Sequence, residues 1–388
     1  MSDDLLRYRS EFPILERTTY LISNSLGAMP RRVYEAMRGY ADTWATRGVR
    51  AWEERWWMLA AEVGDEIGAL MNAPKGSVST HQNVTTCQAV VASCFDFSGK
   101  RNKVVYTDMN FPSVMYFWEA QKKSGARVHM VKTDDGITVP TERVLDAIDD
   151  QTLLVPVSHV LFRSAFINDA KAIVERAHQV GAHVVLDTFQ SLGTLPVDVR
   201  ALKADFACGG VLKWLCGGPG VAYLYVRPDL GEKLEPTYTG WTAHQEPFAF
   251  ETGPIRYADP PYRFMNGTPH VPALEAARPG LKIIGEVGVP RIREKSKRQT
   301  AKLIDMADKH GWRVNTPRDP EKRGGTVSIE MPDSEEVARE LLRREILVDW
   351  RPKAGVRMSP HFYNTDQELA TAISAVEEIL KDRQVAAR

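Results

Sequence analysis

Two side chains stand where chemistry explains them better than packing does. Asp187 closes the apolar run His183–Leu186. A carboxylate there is costly unless it is paired, caps a helix or surface turn, or points into a ligand site. Lys213 lies in GGVLKWLCGGPG (209–220), with apolar neighbours on both sides and glycines beyond. Such a lysine either lays its stem along apolar surface with its ammonium in water, or it is desolvated. Desolvation lowers its pKa, and a neutral amine is the nucleophile that Schiff-base chemistry requires. Gln190 follows Asp187 in DTFQ.

The elements around this pair alternate. Short apolar runs predict strands at Lys103–Thr107, Arg127–Lys132, Thr152–Val160, His183–Leu186, Asp205–Cys208 and Val221–Val226. Between them, Asn168–Val180 has apolar residues at helical spacing, with Asp169 as an early acid and Gly181 as the stop. This pattern predicts an α/β domain with a parallel sheet covered on both faces. Ligands then collect at the carboxyl ends of the strands, where Asp187 and Lys213 fall. Residues 228–270 are rich in Pro, Gly, Thr and aromatics and show little period, which suggests a functional or subunit-contacting segment. A long helical pattern starts near Ala273, with interruptions expected at Pro279 and Pro290. Strands at Thr326–Glu330, Ile346–Trp350 and Gly355–Ser359, with helices at Ser334–Arg344 and from Asp366, predict a small α+β domain. The expected division is a large domain over 45–270 and a small one from 1–44 plus 271–388.

The chain has 388 residues, 43% of them apolar and 26% charged, as ordinary globular domains do. Fifty basic residues balance fifty acidic ones, so no nucleic-acid or anionic-membrane partner is expected. The start, MSDDLLRYRSEF, carries acids where a signal peptide needs cations, and no apolar run approaches a membrane span. A cytoplasmic location is the expectation. The four cysteines form no CxxC pair, and no Cys/His cluster has zinc spacing, so no metal site is expected.

An acid after one strand and a lysine after the next is the arrangement that pyridoxal phosphate enzymes use. The surrounding residues resemble the class V, fold type I, pyridoxal phosphate enzymes, and among them kynureninase most. The similar segments run in order: YLISNSLG (20–27), RAW (50–52), NFPS (110–113), AHQVGAHVVLD (177–187), PVDV (196–199), ADFACGG (204–210), LKWLCGGPG (212–220), GWTAH (240–244), RFMNGTP (263–269) and DWRPKAGVRMSPHFYN (349–364).

The resemblance implies a fold type I architecture, pyridoxal 5'-phosphate as cofactor, and a homodimer with shared active sites. It implies that Lys213 is the Schiff-base lysine and the proton shuttle at Cα of an α-amino acid, acting through an external aldimine. Asp187 would face the pyridinium nitrogen, Gln190 the ring hydroxyl and Phe111 the ring face. Thr85 and Thr86 open a helical run, where hydroxyls and free amides suit a phosphate or serve as a simple cap. Trp241 and Thr268 match positions that reach the phosphate across the subunit interface. Arg357 matches the arginine that holds the substrate carboxylate, for which its planar fork is suited. Asn24 and Ser25 match a segment that folds back toward the substrate. The sequence departs from kynureninase at Leu212, where that family has Tyr, and at Gln190, where it has His. Arg163, in HVLFRSAF, is placed to bind a second acidic group of the substrate, or an ion-pair partner. The implied reaction is hydrolytic cleavage at Cβ, with transamination or β-elimination of a C–S or C–X bond as the alternatives. A nicotinamide-dependent reductase would need a GxGxxG turn, which the chain lacks. A catalytically silent relative would not be expected to keep Lys213, Asp187 and Arg357 together.

Overall fold

A computed structural model describes residues 3–386; the outermost two residues at each end of the expected small domain lie outside the described residues. The strands in chain order are β1 (Thr19–Tyr20), β2 (Val78–His81), β3 (Lys103–Thr107), β4 (Arg127–Val131), β5 (Thr152–Ser158), β6 (His183–Asp187), β7 (Phe206–Gly210), β8 (Ala222–Val226), β9 (Arg313–Val314), β10 (Val327–Glu330), β11 (Ile346–Leu347), β12 (Asp349–Arg351) and β13 (Gly355–Met358). Seven of them form one sheet in the order β2-β8-β7-β6-β5-β3-β4. Every neighbouring pair is parallel except those made by β8, which runs antiparallel to β2 and β7.

Both faces of this sheet are buried, and the alternation along each strand assigns the sides. Val105, Val184, Leu186, Ala207, Tyr223 and Tyr225 enter one core. Their neighbours Val104, Tyr106, Val185, Phe206, Cys208 and Leu224 enter the other. Side chains that point alternately up and down into two apolar layers explain why these strands read as continuous apolar runs. Helices Val84–Ala92 and Pro112–Ala120 cover one face through Val90, Val91, Val114 and Trp118. Helices Trp57–Ala69, Ala170–Gln179 and Val271–Val287 cover the other.

The long helical pattern is two helices, Val271–Val287 and Val289–Lys309. The break falls at Gly288, at φ +84°, and the interruption expected at Pro279 does not occur. Pro290 is in the first turn of the second helix, where a missing N–H costs nothing. The first of these helices shares its core with the large sheet, and the second contributes Leu303, Ile304 and Ala307 to a separate core. That separate core backs the antiparallel sheet β12-β13-β10-β9. The run Ile346–Trp350 is two strands rather than one: β11 pairs with β1, and β12 with β13. The N-terminal segment is therefore stitched to the small sheet, with Ile22 bridging Ser359. Residues 228–270 hold only single turns, at Pro228–Gly231, Trp241–Ala243, Pro247–Ala249 and Tyr262–Phe264. Among the described residues no helix is long and apolar enough to cross a membrane.

Candidate active site

The carboxyl ends of β5, β6 and β7 surround a cavity of about 270 Å³. It opens where the chain order reverses, between β3 and β5, the place at which open α/β sheets bind ligands. Asp187 is the last residue of β6, and Lys213 lies three residues beyond β7. Both line the cavity, together with Gln190, Phe111 and Thr85. The structure thus brings five of the expected site residues to one place.

Lys213 is half-buried against aromatic rings, with Nζ 4.3 Å from the centroid of Phe189 and 5.5 Å from that of Phe111. Burial pushes its pKa down to about 8, although the nearby Asp187 carboxylate pulls the other way. Asp187 is 5% exposed. Its Oδ1 accepts a hydrogen bond from the Phe189 N–H at 2.9 Å, and burial raises its pKa against the pull of that bond and of Lys213. Among the described residues no cation closes an ion pair on this carboxylate, which leaves it disposed toward a cationic ring nitrogen.

Gln190 is buried and spends both ends of its amide. Nε2 donates to the Asn24 carbonyl at 3.0 Å, and Oε1 accepts from the Trp214 indole at 2.9 Å. Helix Val84–Ala92 starts at the cavity, capped by the Asn83 side chain, which accepts from the Thr86 N–H at 3.0 Å. Thr86 is thus committed to the cap and does not line the cavity, whereas Val84 and Thr85 do. The free amides of that first turn suit an anion.

The N-terminal segment folds onto the lysine loop. The Gly27 N–H donates to the Leu212 carbonyl at 2.8 Å, and a Cβ on Gly27 would lie 2.1 Å from the Lys213 carbonyl oxygen. Asn24 is 1% exposed, and neither polar atom of its side chain has a partner. Ser25 lies beside it, partly exposed.

The other expected residues fall elsewhere. Arg357 is buried with its fork already closed on Asp349: Nε donates to Oδ1 at 2.7 Å and Nη2 to Oδ2 at 2.5 Å, while Nη1 donates to the Phe162 carbonyl at 2.6 Å. It lies outside the cavity lining, close enough to depress the Lys213 pKa. Arg163 is a correction. It does not line the lysine cavity but a second, polar one of about 460 Å³, with Asp108, Arg313 and Lys353. Its guanidinium lies over the Phe162 ring, 5.3 Å from the centroid. Trp241 is 41% exposed and packs on Trp57 and Phe248, and Thr268 is exposed; neither lines the cavity of this chain.

Sequence reading missed Phe162, Phe189, Asn83 and Ser158 as lining residues, and Asp349 as the partner of Arg357. Phe189 had a signal, since it sits between Asp187 and Gln190 in DTFQ. Asp349 had none, because the pairing is set by the cross-strand register of β12 and β13.

Comparison with known proteins agrees with this geometry. The family model "Aminotransferase class-V" matches residues 19–370. A kynureninase of Bacillus thuringiensis subsp. konkukian (strain 97-27) is 30% identical over 98% of this chain and 93% of its own length. An uncharacterized aminotransferase, YcbU, of Bacillus subtilis (strain 168) is 32% identical over 95% of this chain and 96% of its own length. Among solved structures, the apo cysteine desulfurase of Thermococcus onnurineus NA1 superposes with a TM-score of 0.86 at 24% identity, covering 97% of this chain and 98% of that one. A C-DES mutant with glycine covalently linked to its PLP cofactor superposes at 0.85 with 19% identity, covering 95% of this chain and 98% of that one. At these identities the structural likeness carries the fold, which is fold type I. With the lysine, the buried carboxylate and the free helix amides at one cavity, the chain is a pyridoxal-phosphate-dependent enzyme of the class-V aminotransferase family.

Proposed function

We propose that the enzyme takes the Cα proton from an α-amino acid with Lys213 and cleaves the substrate hydrolytically at Cβ, in the manner of kynureninase. The observation that carries the proton step is the position of Lys213 Nζ, in one cavity with the Asp187 carboxylate and with a pKa lowered to about 8. Burial favours the neutral amine, the form that can take a proton and later return it. Bound pyridoxal phosphate supplies the electron sink for the pair left at Cα. Asp187 would hold the positive charge at the ring nitrogen. Phe111 and Phe189 flank the Lys213 amine with their rings. Val84 and Thr85 offer amides to the phosphate; Asn24 lies outside the lining, and its unpaired buried amide would have to turn to reach a substrate. Arg357 would bind the substrate carboxylate with Nη1 released from the Phe162 carbonyl that it now meets at 2.6 Å.

Cleavage at Cβ is supported by the kynureninase relatives and by aromatic walls on the cavity. Transamination is the second reading. Among the described residues Lys213 and Asp187 are the ionisable side chains in the lining, so a single base could return its proton to either of two carbons. Among the described residues no cysteine lines the cavity, and burial pushes the Cys216 thiol up to about 12, so sulfur transfer to a protein thiol has no support. A homodimer is part of the proposal: Trp241 and Thr268 lie outside their own chain's cavity and would reach the partner's.

The test is the loaded enzyme mixed with L-kynurenine, with anthranilate fluorescence and absorbance read together. Anthranilate release over many turnovers supports hydrolysis. A single-turnover bleaching of the visible band, restored by a 2-oxo acid, would replace it with transamination.

A further inference from the structure

We propose that Trp214 is a positioning residue that fixes Gln190 as a hydrogen-bond donor toward the lysine cavity; this rests on the reading of that cavity as the pyridoxal phosphate site. The indole N–H can only donate, so the atom of Gln190 that it meets at 2.9 Å must be the oxygen. The amide nitrogen then gives one hydrogen to the Asn24 carbonyl at 3.0 Å. Turning the amide over would set N–H against N–H at Trp214 and oxygen against oxygen at Asn24. Both bonds would be lost in a buried place, where unmade bonds cost most. One N–H of Gln190 remains, and Gln190 lines the cavity.

The indole itself cannot drift. Trp214 is 1% exposed, and its ring meets His361 edge-on at 5.4 Å between centroids. Its carbonyl is hydrogen-bonded to His361 Nε2 at 2.9 Å. A Cβ on Gly325 would lie 2.7 Å from the ring, so the neighbouring backbone closes the remaining space. Trp214 follows Lys213 directly in the chain, so the loop that carries the amine also anchors the amide beside it. The cavity group that Gln190 meets must therefore be an acceptor, such as the deprotonated ring oxygen of the cofactor. A donor on that oxygen draws charge from it and lowers the proton affinity of the bound chromophore.

The experiment is a pH titration of the visible band of the loaded enzyme. Trp214→Phe keeps an aromatic body and removes the N–H. It is expected to move the midpoint up by about half a pH unit and to weaken cofactor binding about three-fold. Gln190→Leu is expected to do the same, and adding Trp214→Phe to Gln190→Leu is expected to move the midpoint no further. An unmoved midpoint in Trp214→Phe, or shifts that add in the double variant, overturns the proposal. If Trp214→Phe fails to fold, hydrogen exchange of the Trp214 indole in cofactor-free protein decides. Faster exchange in Gln190→Leu than in wild type supports the link, and equal exchange overturns it. Wild-type protein that forms no visible band would overturn the cofactor reading alone, since the indole measurement on cofactor-free protein still stands.

Discussion

Lys213 is the residue on which most depends. Lys213→Ala should abolish the visible band and the borohydride-reducible attachment of the cofactor; a persisting attachment would assign another lysine. Its titration gives a further check in the cofactor-free protein. Burial lowers the folded-state pKa to about 8 from 10.5, so between those values the unfolded chain holds more protons. Stability contributed by this group therefore rises with pH across that window. Other groups titrate there too, so the quantity to measure is the difference in denaturant midpoint between wild type and Lys213→Met, which should grow in favour of wild type from pH 8 to pH 10.5. Arg357 is a different case, because its charge is already neutralised by Asp349. Arg357→Lys keeps the charge and loses the fork. It should raise KM about ten-fold or more with little change in kcat, since one charge-assisted hydrogen bond is worth about 1.5–3 kcal/mol. A fall in kcat alone would remove Arg357 from carboxylate binding.

At the scale of elements, the site depends on how closely the N-terminal segment approaches the lysine loop. Gly27 is squeezed between the Lys213 carbonyl and Cys216, and the obstacle at 2.1 Å is main chain, which cannot step aside. Gly27→Ala should cost about 1–3 kcal/mol and displace Asn24, which hangs on Gln190 from the same segment. The measurement is a denaturant titration beside substrate KM. An unchanged KM with lowered stability would mean that Asn24 does not touch substrate. The helix Val84–Ala92 offers a contrast. Its cap by Asn83 is a local device, and Asn83→Ala should cost about 1 kcal/mol.

At the scale of the molecule, three buried histidines set the acid limit. His81 and His159 are pushed down to about 4 and His361 to about 3, each by burial. The unfolded chain takes up their protons near pH 6.5, while the folded chain does so only near the lowered values. Stability should fall as pH drops from 6.5 toward 4, by about 1.4 kcal/mol per pH unit for each histidine. His361→Asn should flatten that slope by about one proton; an unchanged slope would mean that His361 is charged in the fold. His361 packs against Trp214 and is hydrogen-bonded through Nε2 to its carbonyl, so it ties the segment after β13 to the lysine loop.

The alternation of apolar strands and amphipathic helices was enough for six of the seven strands of the large sheet; β2 was not read, β8 runs antiparallel to both neighbours, and the edge strand β4 is largely exposed. The small domain was legible in outline, except that one apolar run, Ile346–Trp350, serves two partners, and apolarity does not say which strand a residue pairs with. Pro279 was read as a break and is not one. A proline removes one helical hydrogen bond, and the packed helix Val271–Val287 absorbs that loss, while Gly288 at φ +84° makes the turn. Asp187 and Lys213 were readable because a carboxylate and an amine in apolar runs are improbable without a reason. Arg357 was readable as a cation but not as a paired one, and Arg163 was assigned to the wrong cavity. Those outcomes depend on cross-strand register and on which ring a guanidinium finds, and both are long-range. The residue types and their local neighbours thus carried the chemistry and the layer order. Which polar groups meet, and which remain free for a ligand, was decided by tertiary contacts between segments far apart in the chain, as the link from Asn24 through Gln190 to Trp214 illustrates.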